Sequence, residues 1–373
     1  MSSVQKVTFG KGAICVFTSL YVNNFRCFEE FSIESLDRVN LIAGTNNVGK
    51  TALLEAMFLL IGAENVTLVV RISAFRGITE FKGDPASVRE LLWRPLFLRF
   101  DSEATIEISG ALSSGGRQSV ELRLVPGASA RLDVGDESAL EIGLGTSQLF
   151  GQAMQLRYTD PSGDTHSIQM LVDEKGPPRV EPVPLPPPFP GMFLAARRRT
   201  TPQEDAERFG RLDVVEESYD LLEALRILEP RLKRLTTIFS AGVPMIYGDI
   251  GLGRMLPLPL MGDGLGRLTS LLLAIANAPR GVVLVDEIEN GLHHSILSKV
   301  WRAIDDAARR FDAQVFATTH NFECIWAAHQ AFEASGRYDF RLHRLERVAE
   351  RIRAVTYDQE TLAAAMKADL EVR

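Results

Sequence analysis

The sequence predicts an α/β protein whose core is split in two, with an antiparallel β-lobe and a helical lobe inserted between the halves. Three observations carry this reading. Gly44-Thr45-Asn46-Asn47-Val48-Gly49-Lys50-Thr51 has the form G-x-x-x-x-G-K-[ST] and lies between an apolar segment and a helix-forming one. A second strand-like segment, Gly281-Val282-Val283-Leu284-Val285-Asp286-Glu287, ends in two carboxylates far downstream. Between them the hydrophobic period becomes two over residues 104–172 and then turns helical.

The first strand-like segments are Ile14–Phe17, Phe31–Ile33 and Val39–Ala43, and a helix rich in Ala, Leu, Met and Phe is expected from Thr51 to Ile61. A strand, a Gly-bearing loop and a helix N-terminus in that order aim backbone N–H groups at one point, which suits a nucleotide polyphosphate. Gly44, Asn46, Asn47, Val48 and Gly49 would cradle the phosphates of a nucleotide. Lys50 would reach the β- and γ-phosphates, and the Thr51 hydroxyl would bind Mg²⁺. An ordinary Gly-rich turn is the bland alternative, and it does not call for the flanking strand and helix.

Apolar residues then alternate with polar ones: Ile106 and Ile108; Val120, Leu122 and Leu124; Leu140, Ile142 and Leu144; Met154, Leu156 and Tyr158; Ile168, Met170 and Val172. Such alternation reads as an antiparallel meander with one wet face. Glu181–Pro190 holds six prolines and should be an extended connector, or alternatively a partner-binding polyproline motif. Residues 203–236 take helical character, with Tyr219, Leu222, Leu225 and Leu228 recurring every third position until Pro230, and no heptad run is long enough for a coiled-coil arm. From Leu265 the chain is α/β again: helix 265–278, strand Val282–Val285, helix 292–310, strand Gln314–Ala317, helix 321–334, and closing strands near Phe340–Leu345 and Arg351–Tyr357. The expected division is 1–100 for the first half of the core, 101–180 for the β-lobe, 181–260 for the connector and helical lobe, and 261–373 for the second half.

The chain has 373 residues, 46% hydrophobic and 24% charged, which allows a large core and more than one lobe. A net charge of −7 argues against a strong stand-alone nucleic-acid binder, because that affinity rests on Lys and Arg neutralising phosphates. Arg197-Arg198-Arg199 is the best candidate for a DNA- or partner-facing surface, its alternative being a solvated turn. Cys15, Cys27 and Cys324 are far apart and form no C-x-x-C pair, so neither a zinc site nor a disulfide framework is expected and a reducing cytoplasm fits. The start lacks a signal-peptide pattern, and the apolar runs around Leu53–Ala63 and Leu271–Ala276 are too short to span a bilayer, so no membrane partner is expected.

In the second half, strands covered on both faces are continuously apolar, and ligands bind at their carboxyl ends. Asp286 should therefore emerge beside the phosphate loop and hold Mg²⁺, with Glu287 polarising a water for attack on the γ-phosphate. Simple capping of the next helix is the alternative. His320, after Phe316-Ala317-Thr318-Thr319, could hydrogen-bond the γ-phosphate. Met261-Gly262-Asp263-Gly264-Leu265-Gly266-Arg267 opens a helix and could be a second anion site that meets a nucleotide held by another copy, or a plain helix cap.

Taken in order, Asn24-Phe25-Arg26-Cys27-Phe28, the phosphate loop, Gly262-Asp263-Gly264-Leu265, Val285-Asp286-Glu287-Ile288-Glu289-Asn290-Gly291-Leu292-His293 and Thr318-Thr319-His320-Asn321 resemble the ABC-type ATPases of the OLD-like and RecF/SMC-like group, often described simply as AAA ATPases. The resemblance runs from about residue 18 to the end. It implies a P-loop fold of ABC type and a head-to-head homodimer, or a higher oligomer, that sandwiches two ATP molecules. Lys50 and Thr51 then match the phosphate-loop residues, Asp286 the metal-binding aspartate, Glu287 the catalytic base and His320 the switch histidine. Gly262–Arg267, with Gly262, Asp263 and Gly264 at its start, matches the signature loop that acts across the dimer, although Gly262 and Asp263 stand where transporter-type signatures carry Ser. Arg26 matches an arginine near the nucleotide. The glutamine that couples metal to the helical lobe has no evident counterpart. About 50 residues follow His320, which leaves no room for the nuclease domain of OLD nucleases, so a bare ATPase head is expected.

The expected function is an ATP-hydrolysing dimeric switch acting on DNA or on a separately encoded effector, in DNA repair or phage (antiviral) defence. The alternatives are a transporter ATPase subunit, a GTPase or small-molecule kinase, and a nucleotide-gated binding module with little turnover. An Asn-Lys-x-Asp guanine-reading motif is absent, which weighs against the GTPase.

Overall fold

The computed structural model describes residues 16–78, 89–126, 152–171, 179–182, 186–240, 242–368 and 370–373. Strands β1 (Leu20–Phe25) and β2 (Phe28–Ile33) form a hairpin, and β3 (Val39–Ala43) follows with every residue buried. The phosphate-loop segment leads from β3 into α1 (Lys50–Ile61), ten of whose twelve residues are buried. A helix apolar on all sides must be covered on all sides. Here α1 packs on strands of two sheets, and α2 (Leu68–Phe75) packs against α1.

The first sheet contains β4 (Ile106–Ala111), β5 (Arg117–Pro126), β6 (Gln152–Thr159), β7 (Thr165–Leu171) and β8 (Arg179–Glu181) in the antiparallel order β2-β1-β4-β5-β6-β7-β8. The expected meander is present, with Ile106, Ile108, Val120, Leu122, Met154, Leu156, Tyr158, Ile168 and Met170 all buried. It is not purely an insertion, because β1 from before the phosphate loop pairs with β4. Asn23 and Asn24 hid β1 from a search for apolar runs. Of the expected strand Ile14–Phe17, the described part is Val16–Phe17, where Phe17 bridges Leu112. The Leu140–Leu144 segment, Val172 and Cys15 lie outside the described residues.

The second sheet is the core. It receives β9 (Gly191–Leu194), then, after α3 (Pro202–Val214), α4 (Ser218–Leu225) and a small sheet of β10 (Arg234–Ser240), β11 (Val243–Asp249) and β12 (Leu256–Pro257), the second-half elements. These are α5 (Asp263–Ala276), β13 (Val282–Val285), α6 (Leu297–Arg310), β14 (Gln314–Thr318), α7 (Phe322–Ala334), β15 (Phe340–Val348), β16 (Arg351–Tyr357) and α8 (Gln359–Lys367). The strand order is β16-β15-β3-β14-β13-β9, parallel except for the β15–β16 hairpin.

Two differences from the expected division matter. The strand β9 runs parallel to β13, so the second half of the core begins at Gly191 rather than near residue 260. Four residues after a proline-rich stretch are too few to show a period. The β10–β11 hairpin also stands where helical character was expected to continue to residue 236, and Pro230 marks the change.

Gln314, fully buried, fastens the two sheets. Its side chain accepts from Phe17 N at 2.9 Å and donates to Phe17 O at 2.8 Å and Asp37 O at 2.9 Å.

Candidate functional site

The parallel arrangement of β3, β14 and β13 brings the ends of three strands to one side of the sheet. The loop after β3 needs left-handed backbone at Gly44 (φ 146°) and Gly49 (φ 104°). A Cβ on Gly44 would fall 2.7 Å from Leu345 O, and one on Gly49 would fall 2.7 Å from Cys27 Sγ. Glycine is therefore required at both by conformation and by space.

A cavity of about 860 Å³ opens over this loop, within the range of small-molecule sites. Asn46, Asn47, Gly49, Lys50 and Thr51 line it together with Arg26, Asp286 and Glu287. Gly44 and Val48 shape the loop from behind; Val48 is buried. The Lys50 ammonium donates to Gly44 O at 2.7 Å and Thr45 O at 2.9 Å, curling over its own loop. Burial pulls its pKa down, against the pull of Glu289, Asp286 and Glu287.

Thr51 Oγ1 donates to Asp286 at 3.1 Å (Oδ1) and 3.2 Å (Oδ2). Thr318, at the end of β14, donates to Asp286 Oδ1 at 2.7 Å and accepts from Glu287 N at 2.8 Å. One buried hydroxyl thus sets both acids. Burial raises the Asp286 pKa, and the Thr318 and Thr51 hydrogen bonds oppose that rise. Glu287 sits at φ 48°, a left-handed conformation that turns it away from the strand direction, and Asn290 Nδ2 donates to its Oε2 at 2.6 Å.

His320 is not among the cavity-lining side chains. It stands at the end of β14 with its Nδ1 3.3 Å from Glu289 Oε1, which also accepts from Thr319 Oγ1 at 2.7 Å and from His320 N at 3.1 Å. Gly262 and Asp263 lie apart as well. They line a second cavity of about 440 Å³ with Arg199, Asp205, Arg267 and Ser270, while Gly264 faces Gly291 and Leu292. Arg267 connects the two regions, its Nη2 3.4 Å from Asp286 O and 3.5 Å from Glu287 O.

Sequence reading missed several contributors. Glu55 on α1 is fully buried between Arg26 (2.5 Å) and Arg76 (2.7 Å). Burial draws the Arg26 pKa down. For Arg76 burial, the largest single influence, acts the same way, but the hydrogen bond to Glu55 together with the charges of Glu55 and Asp286 outweighs it and raises the pKa. A Glu inside an apolar helix was the available signal. The tripeptide Arg197-Arg198-Arg199 is divided by the structure: Arg197 lines the nucleotide-sized cavity, Arg198 pairs with Glu204 at 2.7 Å, and Arg199 lies 3.7 Å from Asp263. Because β9 neighbours β13, the residues following β9 reach the site. Among the described residues no glutamine lines it, and Arg197 occupies that stretch.

Among the described residues, no three His, Cys, Asp or Glu side chains converge as a metal cage, and no helix is long and apolar enough to cross a membrane. Cys27 and Cys324 are free thiols.

Comparison with known proteins follows this geometry. Residues 17–90 match a family model described as "AAA ATPase domain", and residues 178–323 match one described as "AAA domain, putative AbiEii toxin, Type IV TA system". A Helicobacter pylori protein named ATP/GTP phosphatase is 23% identical over 336 residues, 82% of this chain and 86% of that one. An uncharacterized Methanocaldococcus jannaschii protein is 37% identical over 59 residues, 16% of this chain and 27% of its own. The crystal structure of an Smc head bound to the C-terminal winged-helix domain of ScpA superposes with a TM-score of 0.50 at 12% identity, covering 94% of this chain and 99% of that one. Two stretches of the chain are thus similar to AAA-type ATPase domains, and its fold is similar to that of the Smc head.

Proposed function

We propose that this protein is a Mg²⁺-dependent ATP phosphohydrolase that pairs with a second copy when ATP is bound. The observation that carries the proposal is the meeting of Lys50 and Thr51 with Asp286 and Glu287 in one cavity. Backbone N–H groups of the loop and the Lys50 ammonium hold the β- and γ-phosphates. The Thr51 hydroxyl and the Asp286 carboxylate, already in contact, are two hard oxygen donors. That suits Mg²⁺, which takes few protein ligands and completes its shell with phosphate and water. Held there by Thr51 and Asp286, Mg²⁺ would supply positive charge against the triphosphate. Glu287, oriented by Asn290 and Thr318, takes a proton from a water as that oxygen attacks the γ-phosphorus and the bond to ADP breaks. His320, held by Glu289, is assigned here the sensing of the γ-phosphate. The loop Gly262-Asp263-Gly264, remote from this chain's own cavity, serves the nucleotide of the second copy.

The output is a change in the pair that acts on DNA or on a separately encoded effector, in repair or in phage defence. The name of the H. pylori relative fits phosphate hydrolysis. The test uses two variants. Glu287→Gln should bind ATP yet turn over ~10²–10⁴-fold more slowly, and it should shift to dimer mass in light scattering with ATP. Lys50→Ala should lose ATP binding by calorimetry. Near-normal turnover of Glu287→Gln, or a strictly monomeric ATP-bound species, would sink the proposal. For the output, Arg198→Ala with Arg199→Ala should weaken binding to any DNA sequence, more so at low salt, if DNA is the target.

A further inference from the structure

Besides the phosphate-loop residues, the segment Pro95, Phe97, Arg99 and Phe100 contributes a wall of the same cavity, and none of these four has an amide, hydroxyl or carboxylate side chain. Phe100 is 59% exposed there, although a Phe ring buries large apolar area when it can. Arg99 and Phe100 also hold consecutive left-handed conformations, φ 53° and φ 60°. A bulky residue at positive φ is strained and persists where its surroundings hold it in place. The surroundings are visible: Phe100 N donates to Phe97 O at 3.1 Å, and Arg94 Nε donates to Phe100 O at 3.4 Å. Below, Arg26 N donates to Leu96 O at 2.7 Å and Phe25 bridges Phe97, so the wall is tied to the hairpin turn that carries Arg26.

We propose that Phe100, next to Arg99 in the cavity lining, is the platform on which the base of the bound nucleoside triphosphate stacks. This rests on the nucleotide reading of the cavity and names its substrate class. Every base has a π-face, so stacking tolerates all of them, whereas telling guanine from adenine needs hydrogen-bonding groups aimed at the base edge. Of the arginines that line the cavity, Arg26 and Arg76 are committed to Glu55. The site therefore accepts ATP and GTP with similar affinity, and Phe100 is a binding residue remote from the reacting phosphorus.

The experiment is calorimetric titration of the full chain with ATP, GTP and inorganic tripolyphosphate, all with Mg²⁺, on wild type, Phe100→Ala, Phe100→Trp and Lys50→Ala. Wild type should bind ATP and GTP within about tenfold of each other, and tripolyphosphate more weakly. Phe100→Ala should weaken both nucleotides by roughly 5- to 100-fold and leave tripolyphosphate unchanged. In steady state it should raise KM with little change in kcat, the mark of uniform binding loss. Phe100→Trp should keep affinity and show indole fluorescence quenched by nucleotide. The platform is overturned if Phe100→Ala binds ATP like wild type, if tripolyphosphate weakens in parallel, if tripolyphosphate binds wild type as tightly as ATP, or if ATP and GTP differ by more than ~100-fold. Retention of all ligands by Lys50→Ala, or absence of any binding to wild type, instead removes the nucleotide reading and the platform with it.

Discussion

Thr318→Val tests whether one buried hydroxyl organises both acids of the site. Thr318 is fully buried, donates to Asp286 Oδ1 at 2.7 Å and accepts from Glu287 N at 2.8 Å. Valine matches the shape and deletes both bonds. A buried N–H left unpaired costs ~1–3 kcal/mol, and a hydrogen bond to a charged group contributes ~1.5–3 kcal/mol. The two share one oxygen and do not simply add, so about 2–4 kcal/mol is expected. With ~2.1 cal/mol/K of unfolding entropy per residue, 373 residues give about 0.8 kcal/mol/K and a Tm loss of roughly 3–5 °C. Losing a group that orients metal ligands should cost ~10–100-fold in Mg²⁺ affinity or turnover. The pH dependence has a definite sign. Burial already raises the Asp286 pKa and the Thr318 bond holds it down, so the variant's acid limb in kcat/KM moves to higher pH. A carboxyl raised in the folded state contributes stability that is present below the ordinary Asp range and is lost as pH rises through the raised value. The thermal penalty of Thr318→Val is therefore larger at pH 8 than at pH 5. Thr318→Ser, which keeps the hydroxyl, should recover most of the activity. A Thr318→Val protein with wild-type turnover, Mg²⁺ dependence and acid limb would refute the reasoning.

Glu55→Ala should destabilise by ~3–5 kcal/mol in urea titration, because it strands the largely buried Arg26 guanidinium; a change under 1 kcal/mol would mean that water compensates for the lost carboxylate. Gln314→Leu should cost ~2–4 kcal/mol by the same assay, since Phe17 N, Phe17 O and Asp37 O all lose a partner, and near-wild-type stability would show that the strap to residue 17 is dispensable. Asp205, buried against Ser270, has its pKa raised by burial to about 6, so its stabilising share is present below the ordinary Asp value of 3.8 and is lost as pH climbs through about 6. Asp205→Asn should accordingly gain in Tm relative to wild type between pH 5 and pH 8, and a pH-independent difference would refute that assignment.

The sequence by itself determined the segments whose chemistry is local. The phosphate loop was legible because two left-handed glycines, a lysine and a threonine at fixed spacing leave few other structures open, and the apolar run Val282–Val285 ending in Asp286 and Glu287 was legible because a strand covered on both faces has no polar positions. The same holds for α1 and the alternating strands β4 to β7. Only the tertiary structure decided what depends on which strand lies beside which. Gly191–Leu194 is four ordinary residues until pairing with Val282–Val285 makes it a core strand and carries Arg197 into the cavity. Glu55 is an anomaly in an apolar helix until Arg26 and Arg76 arrive from distant turns to neutralise it. Thr318 reads as the end of a strand until parallel register sets it against Asp286 and Glu287. Phe100 and Arg99 reach the cavity only because the turn at Arg26 and the Pro95–Phe100 segment pack together. Short-range periodicity and spacing are written along the chain; pairing partners and buried-charge compensation are set by long-range packing, which no window of sequence contains.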